Sequence, residues 1–198
     1  MLSVSVRIGL LTALLAITPV GAATILVFGD SLSAGYGLQP GQGWVTLLQR
    51  DLAARHRVIN ASQSGETTDG GLTRLPQALR QHKPDIVVLE LGGNDGLRGL
   101  PTTRIASNLQ KMVTLSRQAH AKVLLVGMAL PPNYGPQYTA EFRAVYDTLA
   151  RRNHLAYVPL LVAGFEKNLN QFQPDGIHPK AERQADMMRT VKAKLPLH

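Results

Sequence analysis

Four short polar stretches hold the residue types that acyl transfer needs. They are Gly29-Asp30-Ser31-Leu32-Ser33-Ala34-Gly35, Asn60-Ala61-Ser62-Gln63-Ser64-Gly65-Glu66-Thr67, Gly92-Gly93-Asn94-Asp95-Gly96 and Asp175-Gly176-Ile177-His178-Pro179. A serine hydroxyl is a weak nucleophile until a base takes its proton. Ser31 is the candidate nucleophile and His178 the candidate base. The other histidines, His56, His82, His120, His154 and His198, stand in charged or helical stretches or at the terminus and read as surface residues. His178 alone lies in a Gly/Pro-punctuated loop with a carboxylate three positions earlier. A turn through Gly176 brings Asp175 against the imidazole, where it fixes the tautomer and stabilises the imidazolium. A tetrahedral oxyanion also needs donors, and the Ser31 N–H, the Gly65 N–H and the Asn94 side-chain amide can supply them.

Each of these residues also has a quieter role. Ser31, Asn94 or Asp175 can cap a helix, and Gly65 and Gly92-Gly93 can simply turn the chain. Four such coincidences at successive exits from apolar runs favour the catalytic set. Asp30 and Asp95 invite a metal or glycosidase reading, but loop bracing through backbone N–H bonds suits them better. No second ligand stands at a spacing such as HExxH, so no metal site is expected. The glycine-rich stretches lack both a GKS/GKT ending and GxGxxG, which argues against phosphate cradling.

The elements that must position these residues alternate. Apolar runs at 24–28, 58–59, 85–91, 122–128 and 155–161 read as buried strands. Stretches 44–54, 72–79, 105–119, 142–152 and 181–195 read as helices, with Pro76 disturbing the second and Pro179 starting the last. About five strand–helix alternations predict an α/β fold with a parallel sheet covered by helices on both faces. In such a sheet the polar residues after each strand gather at one edge.

Length and composition set the frame. The chain has 198 residues, 44% hydrophobic and 17% charged, an ordinary balance for one globular domain. Arg7 precedes a nearly unbroken apolar run over 8–20, and Gly21, Ala22 and Ala23 follow. That reads as a secretory signal peptide over 1–23, with an exported domain over 24–198, periplasmic or secreted. The rival reading is a membrane anchor, but the run is short and holds Pro19. There is no cysteine, so disulfides and thiolate chemistry are out. The formal net charge of +8 falls to +7 when Arg7 leaves with the signal. Anionic membrane surfaces, lipopolysaccharide or acidic substrates suit a basic protein, although a dispersed, solubilising charge is the simpler reading. No basic cluster with interleaved aromatics points to nucleic acid. Nothing calls for an obligate dimer, so a monomer is expected.

With these residues in view, the chain resembles the GDSL (SGNH) hydrolase family. Ser31, Gly65, Asn94 and His178 match its four block residues, and Asp175 precedes His178 by three. The segments 29–36, 89–99, 130–135 and 175–179 carry the likeness in order and spacing. The resemblance implies a flavodoxin-like, five-stranded, three-layer α/β/α sandwich. It implies hydrolysis of acyl thioesters, lysophospholipids and simple esters without metal or organic cofactor. It further implies that a flexible loop after Asn94 and a second over 130–138 shape an acyl groove, with Leu97, Pro131 and Tyr134 touching substrate. Glu66 and Pro174 depart from the usual family pattern and bear on loop detail. A carbohydrate acetylesterase of the same fold, or a non-catalytic exported lipid-binding module, remain as alternatives.

Overall fold

The computed structural model describes residues 21–197, so most of the expected signal peptide, 1–20, lies outside the described residues. Five strands form one parallel sheet: β1 (Thr24–Gly29), β2 (Arg57–Asn60), β3 (Ile86–Glu90), β4 (Lys122–Val126) and β5 (Ala156–Val158). Their spatial order is β2-β1-β3-β4-β5, the flavodoxin-like order. Helices α1 (Ser31–Ala34), α2 (Trp44–Leu52), α3 (Thr68–His82), α4 (Gly93–Leu97), α5 (Thr102–Gln118), α6 (Pro136–Asn153) and α7 (Gln184–Lys192) fill the connections.

The strand period of two divides the core. Ile25 and Val27 of β1, with Ile86 and Val88 of β3, meet Trp44, Leu48, Met187 and Val191 of α2 and α7. Leu26, Phe28, Val87 and Leu89 face the opposite way, onto Leu75, Leu109, Met112 and Phe142 of α3, α5 and α6. Three layers result, as expected. Among the described residues no helix is long and apolar enough to cross a membrane.

Three local readings change. α3 runs through Pro76, which sacrifices one backbone bond, and starts four residues earlier than its apolar pattern because Thr67 caps it by accepting the Gly70 N–H. β5 stops at Val158, since Pro159 has no N–H to extend a ladder. Pro179 does not open the last helix. It forms an antiparallel bridge with Phe172, and a 3₁₀ turn over Ala181–Arg183 precedes α7.

The expectation of a dispersed charge is also overturned. Parallel strands joined through helices put every long helix's C-terminus at the edge where the strands begin. The last turns there carry Arg50 (α2), Arg80 (α3), Arg117 (α5), Arg151 and Arg152 (α6), and Arg189 and Lys192 (α7). Arg55, Arg57, Lys83, Lys122 and Lys194 lie in the adjoining connectors and strand starts. All twelve are exposed, and Asp51 and Asp85 are the only carboxylates in the same segments. The opposite edge, where the strands end, gathers the four polar stretches.

Candidate active site

β1 ends at Gly29 and the chain turns at once into α1. The cap reading for Ser31 falls to Asp30, whose Oδ1 accepts the Leu32 N–H at 3.0 Å. Ser31 is therefore the first helical residue, with its hydroxyl free for other work. Its Oγ lies 2.8 Å from His178 Nε2, and His178 Nδ1 lies 2.7 Å from Asp175 Oδ2. Asp175 Oδ1 accepts the Ile177 and His178 N–H groups at 2.9 and 3.0 Å. One carboxylate thus shapes the loop and orients the ring. Burial pushes the Asp175 carboxyl up, but the N–H donors of His178 and Ile177 and the His178 ring outweigh it and hold the group below its ordinary value.

The loop is tied at its base. Gln173 N–H donates to His178 O at 2.7 Å, Gly176 N–H to Gln173 O at 2.9 Å, and Lys180 N–H to Gln171 O at 2.9 Å. Gln173 Nε2 also donates to Tyr36 O at 2.9 Å, joining this loop to the segment after α1. The Tyr36 ring sits 4.6 Å from the His178 ring and is 54% exposed, so an aromatic edge borders the base.

The three residues expected to hold an oxyanion arrive from three exits. Gly65 has φ +79° in a turn closed by Glu66 N–H on Gln63 O, a conformation that favours glycine. Among the described residues the Ser31 and Gly65 N–H groups have no acceptor. The Asn94 amide is less free than expected. Its Nδ2 donates to Glu66 O at 3.0 Å and to Asp30 Oδ2 at 3.2 Å, which uses both hydrogens. These two bonds bring Asn94 against the residues beside Ser31 and Gly65. Asp30 and Asp95 brace loops, as expected. Asp95 is fully buried and accepts the Thr68 N–H at 2.8 Å and the Thr68 hydroxyl at 2.5 Å. Asn108 of α5 joins them by donating to Thr68 Oγ1 at 3.1 Å.

Leu97, Pro131 and Tyr134 are half-buried and lie on two neighbouring walls. Tyr134 Oη donates to Leu97 O at 2.8 Å, and Tyr138 Oη to Leu100 O at 2.6 Å. The segment after Asn94 is the helical turn α4, where a loop was expected. Leu130 packs so closely on it that a Cβ at Gly96 would lie 2.7 Å from the Leu130 side chain. No hydrogen bond joins Leu97, Pro131 or Tyr134 to Ser31 or His178. Among the described residues no group of three or more His, Asp or Glu side chains is placed to hold a metal.

Sequence reasoning missed Glu90. It is fully buried at the end of β3; its Oε2 accepts the Ser33 hydroxyl at 2.5 Å and the Asp30 N–H at 3.3 Å, while Oε1 has no partner. A Cβ at position 29 would lie 2.4 Å from this carboxylate, so the approach requires glycine. The available signal was one acid within an otherwise apolar run, since a buried polar group is the informative exception. Burial and the nearby Asp30 charge push Glu90 well up. Burial likewise raises Asp30 to about 6, although the Leu32 N–H, His178 and the Asn94 amide oppose it.

The sign of the consequence is fixed by these directions. An acid raised in the fold favours its protonated form there, so stability is fullest below the unfolded-chain pKa. It declines as pH rises through the folded value. Glu90→Gln imitates the protonated acid and removes Glu90's share of that decline. Urea midpoints are expected to favour the variant over wild type clearly more at pH 8 than at pH 4.5. An equal difference at both pH values would mean that folding does not raise the Glu90 carboxyl above its unfolded-chain value.

The chain is similar to known proteins along most of its length. The model of the GDSL-like lipase/acylhydrolase family matches residues 27–185. The chain is similar to the esterase TesA of Pseudomonas aeruginosa, 46% identical over 186 residues and covering 92% of each. It is 39% identical over 175 residues to thioesterase 1/protease 1/lysophospholipase L1 of Escherichia coli K12, covering 88% of this chain and 84% of that protein. Among solved structures it resembles the psychrotrophic esterase EstA from Pseudoalteromonas sp. inhibited by monoethylphosphonate. The TM-score is 0.82 at 37% identity, over 87% of this chain and 96% of that one.

Proposed function

The chain belongs to the GDSL-like lipase/acylhydrolase family, and from that premise we propose that it hydrolyses carboxylic esters and thioesters through an acyl-enzyme on Ser31. The carrying observation is the unbroken contact from Ser31 Oγ to His178 Nε2 to Asp175 Oδ2, at 2.8 and 2.7 Å. Asp175 holds the proton on Nδ1, leaving Nε2 to accept. Ser31 Oγ loses its proton to Nε2 and bonds to the acyl carbon, while the carbonyl π pair moves onto oxygen. The N–H groups of Ser31 and Gly65 and the Asn94 amide hold that oxyanion. The longer of Asn94's two bonds, to Asp30, is the one exchanged for it. Collapse breaks the bond to the leaving group, which takes the proton from Nε2. Water then gives a proton to His178, adds to the acyl carbon and frees the acid, and Ser31 recovers its proton.

The inhibition of a similar esterase by monoethylphosphonate supports this reading, because a tetrahedral phosphorus group imitates the intermediate. Mass spectrometry after treatment with a fluorophosphonate is expected to find the adduct on the peptide carrying Ser31. An adduct confined to another serine would remove Ser31 from its role.

The half-buried Leu97, Pro131 and Tyr134 line the acyl groove in this reading, and long-chain acyl thioesters, lysophospholipids and aryl esters are its substrates. Turnover is expected to rise along a series of p-nitrophenyl esters from acetate to octanoate, and acetylated sugars are expected to react slowly. Tyr134→Phe removes the bond to Leu97 O, so it is expected to raise KM several-fold for octanoate and leave acetate unchanged. An equal effect on both would take the wall out of chain recognition.

Residues 1–23 act as an export leader, and the mature protein works in the periplasm as a monomer.

A further inference from the structure

The pole opposite the candidate active site carries a concentration of positive charge that the hydrolytic reading does not use. Its twelve exposed Lys and Arg side chains face only Asp51 and Asp85 in the same segments. Asp51 pairs with Lys192 at 2.7 Å, and Asp186 reaches in to pair with Arg189. Setting Lys122 aside and counting Asp85 as well, three carboxylates offset three of the other eleven cations and leave eight. Cations at helix C-termini have a structural purpose, because the terminal carbonyls are electronegative. Each helix end is worth about half a negative charge, so five ends offset roughly two and a half charges. A surplus of about five and a half remains after both corrections.

Shape and chemistry narrow the partner. Two depressions, of about 410 and 370 Å³, adjoin one another and share His120. Arg117, Lys122 and His154 line the first, and Arg80 and Lys83 the second. The charged segments come from all five long helices, and therefore from both faces of the sheet, so the cations cover a broad end of the molecule. The large hydrophobic side chains that are exposed, Tyr36, Leu169 and Ile177, all lie outside these segments, on or near the active-site loops. Among the described residues this pole thus shows neither the aromatic platforms that single-stranded nucleic acid uses nor the apolar anchors that insert into lipid.

We propose that this pole is a docking surface for an anionic lipid bilayer, held by charge alone and leaving the active site facing away from that membrane. Each Lys or Arg near such a surface is worth about 1 kcal/mol, or about fivefold in partition, and the attraction fades within a Debye length.

The test is cosedimentation of the mature chain, residues 24–198, with phosphatidylglycerol/phosphatidylcholine vesicles, against phosphatidylcholine alone. Binding is expected only to the anionic vesicles, and it is expected to vanish at about 1 M salt, where the Debye length is about 3 Å. The triple variant Arg80→Glu, Arg151→Glu, Lys194→Glu is expected to lose about 100-fold in partition. A second triple, Lys111→Glu, Arg143→Glu, Lys167→Glu, changes net charge equally but lies off this pole, and is expected to lose less than about threefold. Turnover of a soluble ester is expected to be unchanged in both. If the first triple loses turnover, Arg80→Glu and Arg151→Glu singly are each expected to cost at least about fivefold in partition with turnover intact. Equal losses in the two triples, binding to neutral vesicles, or tighter binding to duplex DNA than to anionic vesicles would each overturn the proposal.

Discussion

Ser31→Ala is expected to lower kcat on esters and thioesters by roughly 10⁶-fold while leaving the fold intact. The argument for the loss is that nothing nearby can replace the nucleophile. Ser33, two residues on, is buried and commits its hydroxyl to Glu90 at 2.5 Å. The Ser31 and Gly65 N–H groups survive the substitution, so a residual acceleration of roughly 10³–10⁴ over water is expected from oxyanion binding. The fold is expected to survive because the Ser31 hydroxyl contacts only His178, and alanine suits a first helical position. Steady-state turnover, fluorophosphonate labelling and a thermal melt together make the check. Turnover retained within about tenfold would assign the nucleophile elsewhere.

Asp175→Asn is expected to cost about 10⁴-fold in kcat with little change in the fold. Asp175 does two jobs with two oxygens. An asparagine can keep one, presenting its carbonyl to the Ile177 and His178 N–H groups that now bind Oδ1. Its NH₂ then faces Nδ1, which must become an acceptor. The ring proton moves to Nε2, pointing at Ser31 Oγ, and the base is lost although the geometry is kept. Asp175→Ala frees the ring and lets the loop relax, so it is expected to lose thermal stability as well. Comparing kcat and melting temperature for the two variants separates tautomer control from loop support. A fall below about tenfold in Asp175→Asn would reduce the site to a serine–histidine pair.

The residues that state their role by type and place were the legible part. Ile25-Leu26-Val27-Phe28 can only be a buried strand, and the polar residues after it fall at the sheet edge by topology. A lone histidine three positions after an aspartate, in a loop broken by glycine and proline, announces its partner. What stayed hidden depends on distance. Nothing in the spelling of Gly92-Gly93-Asn94 says that the amide already holds Glu66 O and Asp30. Glu90 is one letter in an apolar run, and only the parallel pairing of β1 with β3, which sets Gly29 beside Glu90 beneath α1, shows that two acids and Ser33 share one dry space. The start of α6 was set six residues late because the apolar pattern begins at Phe142, whereas the helix begins at Pro136, a residue suited to a first turn. The charge reading failed for a related reason. Arg50, Arg80, Arg117 and Arg151 look scattered along the chain, and only the return of every helix to one edge collects them.

The contact between Ser31 and His178 joins residues 147 positions apart. A chain emerging from the ribosome therefore carries its nucleophile long before it carries the group that arms it. Hydrolytic competence is among the last properties to be acquired during synthesis, after the sheet's five strands have all been made. Until then the newborn polypeptide is harmless to the acyl esters and thioesters around it.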